Sequence, residues 1–310
     1  MDFLLGGTAA CMAGFFSNPF DVIKTRQQLQ GELAQKLSYT PYSSVWHSIR
    51  SIVKAEGILG LQKGLSSALA FQFVMNSTRL GSYQTIDNLG WTRSSNGDIS
   101  MLRCVFWGGM SGMFGSALGC PLYLVKTQIQ AQSHGKYAVG YQHHHTGMMD
   151  GLRHICKKYG LKGLWRGYSS LIPRTMVASS AQLATFSECK DQIQRFHVFR
   201  QSVFLTALAS SMISGLFACI CMTPFDVIAT RMFNQGVDKT GKGLLYNNII
   251  DCFSKTFKVE GFFGLYKGFV PNYLRVAPHT ILNLTFWDML KKWRALYFPE
   301  DNNVLFKSIP

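Results

Sequence analysis

One frame occurs three times in this chain, and it limits the possible folds more than any other feature. "NPFDVIKTRQQLQ" begins at Asn18, "CPLYLVKTQIQAQ" at Cys120 and "TPFDVIATRMFNQ" at Thr223. All three share Pro-x-x-x-[Val/Ile]-x-Thr, and Pro19, Pro121 and Pro224 stand 102 and 103 residues apart. A second motif repeats in phase: "EGILGLQKG" from Glu56, "YGLKGLWRG" from Tyr159 and "EGFFGLYKG" from Glu260. Its first glycines, Gly57, Gly160 and Gly261, are 103 and 101 residues apart. Two independent motifs on one period mean three copies of one structural unit. The units are expected at 1–98, 99–199 and 200–310.

Apolar runs flank the motifs at 3–16, 65–81, 102–125, 171–186, 203–228 and 269–290, each near the roughly 20 residues that cross a bilayer. Only 15% of the 310 residues are charged, against about 25% in an average soluble protein. None of the runs is purely apolar, which argues for a bundle with a polar interior. Between the two motifs, "SSVWHSIRSIVKAE" places Val45, Ile49 and Val53 four residues apart, a short amphipathic helix. The expectation is an all-α membrane protein with six transmembrane helices, pseudo-threefold, its termini on one side. Gly108, Gly112, Gly115 and Gly119, and likewise Gly6, Ala10 and Gly14, keep the small-xxx-small spacing that lets helices approach closely in lipid.

The net charge of +15 fits interfacial Lys and Arg or an anionic ligand; no basic stripe outside the apolar runs suggests nucleic acid. The eight cysteines show no CxxC and no ligand spacing, so neither a disulfide framework nor a zinc site is expected. Cys219 and Cys221 read as packing residues, and His143, His144 and His145 as a solvated loop rather than a metal site. No metal or cofactor is expected. The start, "MDFLLGGTAACMAGFF", lacks a basic n-region and an Ala-x-Ala site, so no cleavable leader is expected.

The tripled motifs resemble the mitochondrial carrier family (solute carrier family 25). Its frame is Pro-x-[Asp/Glu]-x-x-[Lys/Arg]-x-[Lys/Arg/Gln], followed by [Asp/Glu]-Gly-x4-aromatic-[Lys/Arg]-Gly. The resemblance implies a monomeric six-helix bundle in the mitochondrial inner membrane with alternating access to one central site. It also implies a matrix gate in which Asp21 pairs with Lys126 and Asp226 with Lys24, supported by Gln28 and Gln130. The third pair would need an acid at Tyr123 and a base at Ala229; both charges are missing together, which leaves no orphan in the membrane. The second motif departs at Gln62, where an aromatic is usual, and at Tyr159, where an acid is usual. On the cytoplasmic side only Asp288 and Lys291 match fully, with Lys190 as a partial match. Gly64, Trp165–Arg166–Gly167 and Tyr266–Lys267–Gly268 resemble cardiolipin-binding turns.

Seven residues beyond Gly64, Gly167 and Gly268 stand Phe71, Arg174 and Arg275, roughly 10 Å into each following helix. Arginines at that depth are functional by default. With Arg79, Met75 and Thr175 they form the candidate substrate site, and guanidinium forks suit a small dianion. "RLGSY" from Arg79 and "PHTILNLTFWD" look closest to the oxaloacetate-carrier-like subgroup (members 34 and 35). The leading expectation is an antiporter of small dicarboxylates or oxoacids, sulfate-type anions included. An uncoupling-like anion or proton carrier, with His279 as its titratable group, and a transport-inactive scaffold stand as alternatives. No catalytic constellation for an enzyme is present.

Overall fold

Each repeat folds as long helix, short helix, long helix. The first repeat has α1 (Asp2–Leu29), α2 (Val45–Glu56) and α3 (Leu65–Asn88). The second has α4 (Met101–Ala131), α5 (Met148–Gly163) and α6 (Tyr168–Ile193), and the third α7 (Val203–Asn234), α8 (Ile249–Gly264) and α9 (Phe269–Tyr297). The computed structural model describes residues 2–32, 40–92, 101–193, 203–238 and 241–297. Among these, the one β-type pairing is an isolated bridge between Val237 and Gly243.

The motifs explain the breaks. Pro19, Pro121 and Pro224 lie inside α1, α4 and α7, each of which continues about ten residues beyond its proline. Proline removes one backbone donor but does not end a helix whose neighbours satisfy the freed carbonyl. Gly57, Gly160 and Gly261 adopt φ of 75°, 70° and 69°, the left-handed turn that only glycine takes without strain. The turn ends α2 and kinks α5 and α8 near their C-termini, ahead of α3, α6 and α9. On α2, Ser44 caps the N-terminus by accepting from His47 N, while Ile52 is buried and Val45 and Ile49 pack around the same cluster.

The long helices close into a ring, with α1 against α3, α3 against α4, α4 against α6, α6 against α7, α7 against α9 and α9 back against α1. They run 24 to 32 residues, about 36–48 Å at 1.5 Å per residue. By length and composition, two described segments are apolar enough to cross a membrane, Ile58–Asn88 and Leu208–Asn234. The other long helices carry polar side chains on their inner faces, which lowers their mean hydropathy below a simple lipid-facing helix.

Small residues set the closest approaches. A Cβ on Gly115 would stand 2.8 Å from the Met75 carbonyl oxygen, and one on Gly119 would stand 2.9 Å from the Phe71 ring. On α1, Gly7 joins Gly14 in approaching α3, where a Cβ would meet Ser77 and Leu69. Gly115→Ala should therefore force α3 and α4 apart and lower the melting temperature, at a cost of about 1–3 kcal/mol. Gly109→Ala, which meets nothing within 4 Å, should leave it unchanged or raised; equal effects in thermal unfolding would contradict this packing.

Candidate functional site

At the end of the bundle that carries the proline motifs, α1, α4 and α7 converge through charges on their inner faces. Asp226 Oδ2 lies 2.6 Å from Lys24 Nζ, and Asp21 Oδ2 lies 2.8 Å from Lys126 Nζ. One turn further on, Gln28 donates to Asp226 and accepts from Thr230 Oγ1. Gln130 accepts from Thr25 Oγ1 and donates to Asn18 Oδ1. The third junction, between α4 and α7, carries no ion pair among the described residues. Tyr123 and Ala229 stand where charges would, and Phe233 takes the place that Gln28 and Gln130 hold in the other copies. The Tyr123 ring packs 5.1 Å from both Phe71 and Phe233. The spacing of the frame already contained Phe233, but an apolar residue at a helix end gave no reason to single it out.

Just above this layer lies a cavity of about 340 Å³. All six candidate binding residues line it: Phe71, Met75, Arg79, Arg174, Thr175 and Arg275. The two arginines at equal depth reach down to the gate. Arg174 Nε donates to Asp226 Oδ1 at 2.6 Å, with its guanidinium 5.4 Å from the Tyr123 ring centre. Arg275 Nε lies 3.2 Å from Asp21 Oδ1 without making a hydrogen bond, and its Nη2 donates weakly to Asn272. Arg79 lines the cavity with no ion pair among the described residues.

Each gate carboxylate is thus shared by a lysine and an arginine. Four cations meet two anions in this buried cluster, an excess of two positive charges, and Arg79 adds a further cation to the cavity wall. Isolated buried charge is costly, so this arrangement is built to receive negative charge from outside the chain.

Several wall residues were not singled out in the sequence: Gln72, Asn76, Gln182 and Asn283. They follow the candidate residues at helical stride, Asn283 eight after Arg275 and Gln182 seven after Thr175, a signal that neutral side chains disguise. Cys219 is also a wall residue and not only a packing residue, while Cys221 on the same helix is exposed. His279 lines the cavity and meets Ser17 Oγ through Nδ1 at 3.3 Å.

The opposite end carries no matching latch among the described residues. Asp288 and Lys291 are exposed, and Lys291 Nζ sits 3.8 Å over the ring of Trp287 on its own helix. The side chain of Lys190 lies outside the described residues.

Below the gate, the short helices are bolted on by a second charge layer. Glu56 binds Arg26 at 2.9 Å and Lys63 at 2.7 Å, and Glu260 binds Arg231 at 2.7 Å and Lys267 at 2.6 Å. Burial would raise both carboxyls, but hydrogen bonds and charge from these partners outweigh it and hold them below the usual range. Gln62, in the aromatic slot, exchanges hydrogen bonds with Asn18 and the Phe15 carbonyl. The histidine tract is only in part the solvated loop its composition suggested: His144 is exposed, but its two neighbours are not. His143 Nε2 donates to the Asn234 carbonyl and buried His145 donates to Gln128 Oε1, because the 134–147 loop folds under the bundle. Burial pushes His143 down to about 4, which keeps it neutral. The described residues contain no group of metal-binding side chains.

The comparison with known families matches this three-part geometry. The family model described as "Mitochondrial carrier protein" covers residues 1–94, 97–197 and 200–297. The chain belongs to the mitochondrial carrier family. It is therefore a solute transporter and not an enzyme. This carrier is 46% identical to mouse (Mus musculus) "Solute carrier family 25 member 35" over 96% of its own length and 99% of that protein. It is 40% identical to "Mitochondrial oxaloacetate transport protein" of Saccharomyces cerevisiae over 94% of its length and 88% of that protein. It is 38% identical to "Mitochondrial citrate transporter E" of Aspergillus niger, over 94% and 92%.

The apolar third junction can be tested by restoring its charges. Ala229→Lys adds a fifth cation to a site already in positive excess and should destabilise the carrier by about 3–5 kcal/mol, the usual penalty of an unpaired buried charge. Tyr123→Glu in the same chain should recover most of that loss. A double variant no more stable in thermal unfolding than Ala229→Lys alone would show that the two positions do not face each other.

Proposed function

We propose that this carrier exchanges small dicarboxylates or oxoacids, the oxaloacetate class with sulfate-type dianions included, across the mitochondrial inner membrane. The observation that carries this reading is the two-charge excess around Asp21 and Asp226. A dianion cancels the excess around the two carboxylates and a monoanion leaves one charge there, while Arg79 in the same wall, without an ion pair among the described residues, is left to hold the far end of the anion. The cavity's 340 Å³ lies near the small end of the roughly 300–1,000 Å³ typical of ligand pockets. Phe71 and Met75 narrow its α3 side and favour short carbon chains. The names of the yeast oxaloacetate and Aspergillus citrate relatives agree with a carboxylate substrate.

In this reading the proline-motif end faces the matrix, and the closed gate marks the state open to the cytoplasm. The entering dianion accepts hydrogen bonds from Arg174 and Arg275 in bidentate fashion. Both arginines are thereby drawn off Asp226 and Asp21, which keep only Lys24 and Lys126. The gate falls from a six-charge network to two simple ion pairs, with no latch at the third junction to add resistance. Substrate binding then lowers the cost of opening toward the matrix, and opening without substrate exposes the full repulsion among the cations. That differential is what exchange requires. Thr175 and Gln182 supply neutral hydrogen bonds for a keto or hydroxyl oxygen.

The carrier works as a monomer, because its ring of helices encloses the whole cavity. The helix starts after Gly64, Gly167 and Gly268, with Trp165 and Tyr266 beside them, are the cardiolipin contacts, where free backbone N–H groups suit phosphate. Lys267 contributes through its backbone, since its ammonium is held by Glu260 and the Gln30 carbonyl.

Purified protein in cardiolipin-containing liposomes should exchange labelled dicarboxylate, and Arg174→Ala and Arg275→Ala should each cut the rate at least about a hundredfold, in line with losing a buried charge-assisted pair. Rates equal to wild type in both variants would overturn the assignment.

A further inference from the structure

The second repeat lacks two charges that its sisters have. In repeats 1 and 3 a carboxylate, Glu56 or Glu260, is clamped between an arginine of the first long helix and a lysine of the glycine motif. The equivalent positions in repeat 2 are Gln128, Tyr159 and Arg166. The glycine-motif cation is kept, the other cation has become a neutral amide, and the carboxylate between them is gone.

The vacated position is a cavity of about 170 Å³ between the 141–145 loop, α5 and the turn that opens α6. Gln128, Tyr159 and Arg166 all line it, together with His145, His154 and Lys158. Two nitrogen atoms of these side chains, Arg166 Nε and His145 Nδ1, are buried without a hydrogen-bond partner. The guanidinium of Arg166 rests 5.9 Å from the Tyr159 ring centre, and Lys158 Nζ rests 5.2 Å from the same ring. Asp150 stands nearby but outside the lining, its carboxylate accepting from Thr146 N. Two permanent cations and four histidines therefore surround a hole at the point where threefold symmetry places a carboxylate.

We infer that this cavity binds one small oxyanion, a phosphate or carboxylate group, which stands in for the carboxylate that repeat 2 lacks. The bound group accepts from Arg166 Nε and Lys158 Nζ, and from His145 Nδ1 once that ring takes a second proton. Its volume admits a single oxyanion group and no nucleotide. The site is separate from the translocation cavity and lies in the layer that ties repeat 2 to repeat 3. Gln128 donates to the Phe233 carbonyl, and His143 donates to the Asn234 carbonyl. Filling the cavity braces that seam, so an anion on this side stabilises the closed gate.

Inorganic phosphate is the probe, with sodium chloride at equal ionic strength as control and thermal unfolding in cardiolipin-free detergent as readout. Phosphate should raise the wild-type melting temperature by several degrees beyond chloride. Tyr159→Glu supplies the missing carboxylate internally; it should melt higher without phosphate, lose the phosphate response, and keep its response to a dicarboxylate. Arg166→Gln should also lose the phosphate response and serves if Tyr159→Glu fails to fold. A response to cardiolipin alone that both substitutions remove would keep the site and assign the oxyanion to a lipid headgroup. No phosphate or cardiolipin response in wild type, or one that survives both substitutions, would overturn the inference.

Discussion

Two carboxylates, Asp21 and Asp226, hold the rest of this structure in place. Each is buried, each takes a lysine from a neighbouring proline-motif helix (α4 or α1), and each also takes an arginine from a helix that follows a glycine motif (α9 or α6). Gate and cavity are therefore one electrostatic unit. In the proposed mechanism, a cation that leaves a carboxylate in the gate is the same cation that grips a ligand in the cavity. Because the pairs lie in a low-dielectric setting, their strength depends on the whole set of six charges and not on any one bridge.

Threefold symmetry makes the departures from it informative. The α4–α7 junction has lost both charges and its glutamine at once, replaced by Tyr123, Ala229 and Phe233, and it closes as an aromatic plug. The glycine motif of repeat 2 has lost its acid but kept Arg166, and it closes around a hole. In the first case the loss is complete and leaves no uncompensated group. In the second it is partial, and the remainder is a positively charged cavity. Loss of a whole charged set reads as a change of packing, and loss that leaves one cation over a cavity reads as a binding site.

Much of this was legible in the sequence because period and polarity are strong signals. The repeats and the long helices followed from motif spacing, the two lysine–aspartate pairs from the family resemblance, and Phe71, Arg174 and Arg275 from counting seven residues beyond a glycine. Three things were not legible. Arg174 and Arg275 reach one turn down to the gate carboxylates, which depends on side-chain length and helix tilt. Gln182, Asn76 and Asn283 are neutral and carry no charge to betray their depth. The histidine tract looked like a loop in water, but the 134–147 segment tucks His143 and His145 beneath the bundle, a long-range placement that composition does not encode.

The central claim is that the cluster around Asp21 and Asp226 is two positive charges in excess, and a pair of isosteric ligands tests it most directly. Binding of succinate and of its monoamide, which has the same shape and one charge fewer at pH 7, can be compared by calorimetry on the purified carrier. The account predicts that the monoamide binds at least about thirtyfold more weakly, the cost of about 2 kcal/mol for one unmade charge pair. Equal affinity for the two would contradict it.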